Sequence, residues 1–140
     1  MRYVCDAPGG RTWFRLETEA EAEAEAAAMR HVVDKYFRRA EAAARESYRA
    51  PTGAPSFEQA IGLKDYVART MPLFLTLRAD DGEALATAML PPNGRNQAGF
   101  RTIIVGPANS DPYPAQGDAI EALGRHCGVT LPRAECFPYA

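Results

Sequence analysis

The chain is poor in the residues that carry most chemistry. It has two histidines, three cysteines and one tryptophan in 140 residues. Cys5, Cys127 and Cys136 make an odd set with no C-x-x-C pair, which excludes a disulfide framework and the usual zinc spacings. Three reduced thiols, no metal and no cofactor are expected. His126 adjoins Cys127, but neighbouring residues on a helix point in different directions, so it is a poor base for that thiol. His31 reaches a cysteine only if tertiary packing brings it there. G-x-S-x-G, P-loop and G-x-G-x-x-G sequences are all missing. An excess of either charge is also lacking: the formal net charge is −2, so no nucleic-acid partner is expected. Long apolar runs are absent, and Leu73-Phe74-Leu75 and Ile103-Ile104-Val105 are far too short to span a bilayer. Asp6 interrupts any signal-like segment. A cytoplasmic protein with no membrane partner is expected.

Between Thr18 and Tyr48 there is no glycine or proline. Ala, Glu, Arg and Met dominate this stretch and favour a helix. Thr18 with Glu21 forms a capping-box pattern. Glu19, Glu21, Glu23 and Glu25 crowd the positive end of the helix dipole, and Arg38, Arg39, Arg45 and Arg49 lie toward the negative end. Ala22, Ala26, Met29, Val33, Tyr36, Ala40 and Ala43 draw one stripe at helical spacing. One helix of this length extends roughly 45 Å, whereas a compact chain of this size is roughly 35–40 Å across. It must overhang the globule or kink. Packing energy concentrates from Met29 to Phe37, because the first third of the stripe is only alanine. The stripe packs on the chain's own sheet or against another helix.

The remaining pattern is plainer. Residues 2–17 read as a hairpin about Ala7-Pro8-Gly9-Gly10-Arg11. Pro51, Gly53 and Pro55 mark a linker. Ser56 with Gln59 opens a shorter helix that Pro72 makes stop by Met71. Leu73–Arg78, Ala84–Leu90 and Phe100–Val105 form a meander, its first turn set by Asp81-Gly82. The Ile-Ile-Val run suits a central strand. A helix runs from about Gly117 to Cys127 and ends at Gly128, and a short strand is expected at Val129–Leu131 or Glu135–Phe137. The fold class is α+β in one domain, residues 1–140: a mainly antiparallel sheet, built of an N-terminal hairpin and a three-stranded meander, with one long and two shorter helices.

Candidate sites follow from position. The loop from Gly106 to Pro114 leaves a strand and enters a helix, where Asn109, Ser110 and Asp111 supply polar groups. The same loop reads structurally as a stiff, proline-bearing connection. Arg95 and Arg101 are the neighbouring cations able to grip a carboxylate or phosphate. The order strand, two helices, three antiparallel strands, helix, strand over about residues 57–131 is similar to the core of GNAT-type acyltransferases. That resemblance implies a pyrophosphate of acyl-CoA held at this loop, where Gly117-Asp118-Ala119 matches the G-x-A end of the motif. Pro114 departs from the family's Gln or Arg, Pro112 and Pro114 lack amide donors, and Asp118 repels phosphate.

Two functions therefore stand. The first is protein binding, as a homo-oligomer or accessory subunit, through an interface including Met29, Val33, Tyr36 or Phe37. The alternative is a small ligand-binding domain or acyl-CoA-dependent transferase using the Gly106–Pro114 loop with Arg95 or Arg101.

Overall fold

The computed structural model describes residues 1–94 and 100–139. Its centre is a five-stranded sheet in the order β1-β2-β3-β4-β5. The strands are β1 (Arg2–Ala7), β2 (Arg11–Arg15), β3 (Leu73–Arg78), β4 (Ala84–Leu90) and β5 (Ile103–Val105), and every neighbouring pair is antiparallel. The expected α+β class holds. The hairpin and the meander join where β2 pairs with β3, with Trp13 opposite Leu77 and Phe14 opposite Thr76.

Alternation along the strands separates two cores. On one face Trp13, Leu75, Leu77, Ala86, Ala88, Leu90 and Ile104 pack with Ala119, Ile120 and Leu123 of helix α4 (Tyr113–Cys127). Trp13 is fully buried, and its Nε1–H donates to the Ala119 carbonyl at 2.8 Å, so the only polar atom of the ring is satisfied. Gly128 at φ 73° closes α4 as a left-handed cap. The other face carries three helices: α1 (Glu19–Met29), α2 (Val33–Ser47) and α3 (Ser56–Thr70). Their apolar side includes Ala22, Ala26, Val33, Phe37, Ala44, Val67 and Met71, packed with Leu16 and Phe74. The Phe37 and Phe74 rings meet at 5.2 Å with a 58° tilt, a geometry that adds about 0.5–1.5 kcal/mol to simple burial.

The single long helix is corrected to two. The Thr18–Glu21 capping box forms as expected, but α1 ends at Arg30, whose φ of 55° and ψ of 51° are left-handed. The N–H groups of Arg30 and His31 both close on the Ala26 carbonyl. This is a helix stop of the kind glycine usually makes. The chain then reverses, and Arg38 in α2 pairs with Glu19 and Glu23 in α1 at 3.5 and 3.6 Å. The physical reason is burial: folding back lets Val33 and Phe37 join Phe74 in one core, and Met29 is fully buried as well.

Three further expectations change. β5 lies at the sheet edge, not its centre, and among the described residues it pairs with β4 alone. Its apolar run serves both faces, Ile104 in one core and Ile103 and Val105 toward the α1–α2 side. Ser56 does not cap α3, because the helix already begins there after Pro55. Residues 133–136 form a short helix, α5, following Pro132, and no strand follows α4 among the described residues. Among the described residues, no helix is long and apolar enough to cross a membrane.

Candidate functional site

Glu25 is wholly buried although it stands in a run of alternating glutamates. Its spacing from Ala22 and Met29 places it on the face of α1 that meets the sheet. There the strand register builds a polar row. Thr76 in β3 lies opposite Thr87 in β4, and Thr87 lies opposite Val105 in β5. Glu25 Oε1 accepts from Thr76 Oγ1 at 2.9 Å and from an Arg78 terminal nitrogen at 2.7 Å. Its Oε2 accepts from Thr87 Oγ1 at 2.6 Å. Arg78 Nε donates in turn to Thr76 Oγ1 at 2.9 Å. A carboxylate sealed from water is costly unless its lone pairs are occupied, and here both oxygens are.

His31 extends this network into the α1–α2 joint. Its Nδ1 accepts the Val33 N–H at 3.3 Å, an orphan donor at the start of α2. That fixes the neutral tautomer with hydrogen on Nε2, which donates to Thr87 Oγ1 at 2.8 Å. Thr87 passes its own hydrogen to Glu25, so every bond in the chain runs one way. Burial holds His31 below its usual pKa, opposed by the charge of Glu25. In this arrangement both ring nitrogens of His31 and the Thr87 hydroxyl hydrogen are engaged in hydrogen bonds.

Beside His31 lies a cavity of about 250 Å³. Its floor is the sheet, where Phe74, Met89 and Ile103 form one cross-strand row and Thr87 and Val105 the next. His31, Val32, Val33 and Tyr36 from the joint make one wall. Asn109 and the tail residues Pro138 and Tyr139 complete it. Asn109, which lines it, has a left-handed φ of 60°, and Arg30 and Ala108, which adjoin the lining residues His31 and Asn109, have φ of 55° each.

The sequence-derived candidates divide. Asn109 lines the cavity. Ser110 instead closes its own turn, donating from both N–H and Oγ to the Pro107 carbonyl. Asp111 accepts from Arg133 Nε at 2.6 Å and from the Tyr113 N–H at 3.0 Å, and these donors hold its carboxyl below the ordinary range. Its carboxylate thus occupies the start of α4, where the acyl-CoA reading needs a phosphate, and Pro114 in the first turn offers no N–H. Arg101 is exposed and outside the cavity wall. Arg95 lies outside the described residues. Of the four interface candidates, Met29, Val33 and Phe37 are buried in the chain's own core, while Tyr36 is half exposed; Val33 and Tyr36 also line the cavity.

A second cleft of about 750 Å³ lies over Phe37 and Met71. Arg2, Arg15, Arg45 and Lys64 share its walls with Glu17, Glu41 and Asp65. Charges of both signs line it. The three cysteines are free thiols. Burial pushes Cys5 up to about 11, with Cys127 and Asp6 adding to it, and raises Cys127 and Cys136 as well. They are protonated at neutral pH and weak nucleophiles. Among the described residues, no three His, Cys, Asp or Glu side chains converge as a metal site. No protein-family model matches the chain, and no curated protein or solved structure matches it.

Proposed function

We propose that the chain binds a small, mainly apolar molecule in the cavity between the α1–α2 joint and β4–β5. The observation that carries this reading is the pairing of apolar walls with a few polar groups, His31, Thr87 and Asn109, on a floor fixed by the Glu25 network. Apolar pockets with few, well-placed polar groups are the usual form of ligand sites. An apolar cavity of about 150 Å³ already admits benzene, so about 250 Å³ suits one ring with a small substituent. The site is taken to operate in a reducing, cytoplasmic setting, which three free thiols favour. A fragment screen followed by amide NMR tests the reading. Hits should shift His31, Thr87, Met89, Ile103 and Asn109. Shifts confined to the Arg15–Lys64 cleft contradict it.

A second reading is supported by the cavity mouth. Val32, Tyr36 and Tyr139 are 50%, 48% and 61% exposed and all line the opening. A protein partner or second copy placing an apolar side chain there makes the chain an oligomer or accessory subunit. Sedimentation at micromolar concentration separates the readings: an assembly that Tyr36→Glu dissolves favours this one, and a monomer favours the first.

A further inference from the structure

We infer that the cavity selects an uncharged ligand whose ring or short aliphatic body enters first, and that Asn109 sets this choice by hydrogen bonding to a neutral polar group at the mouth. The inference rests on the ligand-binding reading above and gives its chemical class.

The argument is one of charge. Among the described residues, no Lys, Arg, Asp or Glu side chain lines the cavity. His31 is neutral by its hydrogen bonds, since Nδ1 accepts from the Val33 N–H and Nε2–H donates to Thr87. The two carboxylates whose charge reaches His31 are both engaged elsewhere: Glu25 sits behind Thr87 with its oxygens taken by Thr76, Arg78 and Thr87, and Asp34 pairs with Arg38. An ammonium or carboxylate brought into this space gives up water and meets no counter-charge among the described lining residues, which is strongly unfavourable. A neutral amide or hydroxyl finds a donor and an acceptor on Asn109, whose side chain offers both. An apolar ring meets Phe74, Met89 and Ile103 on the floor. The backbone of Asn109, at φ 60°, is one that Asn and Asp tolerate better than other side chains, so an Asp substitution there keeps the loop.

Three probes of nearly equal shape test the inference: benzamide, benzoate and benzylamine, titrated at pH 7.5 against the amide NMR spectrum, with toluene as an apolar control. Benzamide should shift Thr87, Met89, Ile103 and Asn109, and the two charged probes should bind at least tenfold more weakly. Asn109→Asp should weaken benzamide and turn the preference toward benzylamine. A charged probe that matches benzamide on the unsubstituted protein overturns the selection for neutrality. An unaltered preference in Asn109→Asp overturns the role of that residue. Silence with all four compounds, toluene included, contradicts ligand binding in the cavity itself, and this inference with it.

Discussion

Glu25 fastens the helical layer to the sheet. Its carboxylate takes hydrogen bonds from Thr76, Arg78 and Thr87, and truncation leaves the Arg78 charge facing a buried gap. Breaking a buried pair in this way costs about 3–5 kcal/mol, so Glu25→Ala should lose that much stability in urea unfolding. Thr87→Val strands the Nε2–H of His31 and removes one donor from Glu25, and should cost about 1–3 kcal/mol. His31 adds a pH dependence whose sign follows from burial. Its folded pKa lies below the ordinary 6.5. Above that value both folded and unfolded chains are neutral at His31 and its contribution is complete. As pH falls below it the unfolded chain takes a proton first, so stability declines through the lowered folded pKa. His31→Gln should flatten the urea midpoint between pH 8 and 5, and an unchanged slope contradicts the assignment. Asp111 and Asp118 are held low by Arg133 and Arg11, and their contributions fall away only in more acid solution. The burial of Glu25 was not read from the sequence, although its place between Ala22 and Met29 was a signal for it. It was masked because four alternating glutamates read equally well as charges on a helix dipole, and because its partners lie 51 to 62 residues away.

At the level of elements, the joint between α1 and α2 decides the shape of the helical layer. Arg30 holds a left-handed conformation that costs a non-glycine residue about 1–2 kcal/mol, while glycine carries an entropic cost of about 0.5–1 kcal/mol. Arg30→Gly should therefore stabilise the protein by up to about 1 kcal/mol, read as a rise in thermal midpoint. A loss of stability would show that the Arg30 side chain contributes more than its backbone costs. The break was hidden because neither Gly nor Pro marks it. The available signals were weaker: the β-branched pair Val32-Val33 is stiff in a helix, and His31 stands where its ring reaches the first free N–H of α2. The capping box of Thr18 and the Gly128 stop, by contrast, were readable because local chemistry alone determines them. The edge position of β5 was not, since an apolar run does not say whether its two faces are covered by strands, helices or a ligand.

Across the whole molecule, one antiparallel sheet separates a core under α4 from a core under α1, α2 and α3, and the cavity opens beside the second of these. The element order and strand alternation sufficed for the α+β class. The cavity was partly legible: Asn109, Val33 and Tyr36 were picked out, but for two unrelated roles, and only the reversal at Arg30 brings them to one space. Ile103→Phe offers a test of that space. Its added volume should enter the cavity, so stability should fall by no more than about 1–3 kcal/mol while probe binding is lost. Retained binding in this variant would move the site elsewhere.

The most direct test of the central claim is native mass spectrometry of the protein purified gently from its own cells, compared with its denatured mass. The account predicts an added mass of one small neutral compound, released on denaturation and absent from Ile103→Phe. A native species carrying no added compound, or a compound retained in full by Ile103→Phe, would contradict it.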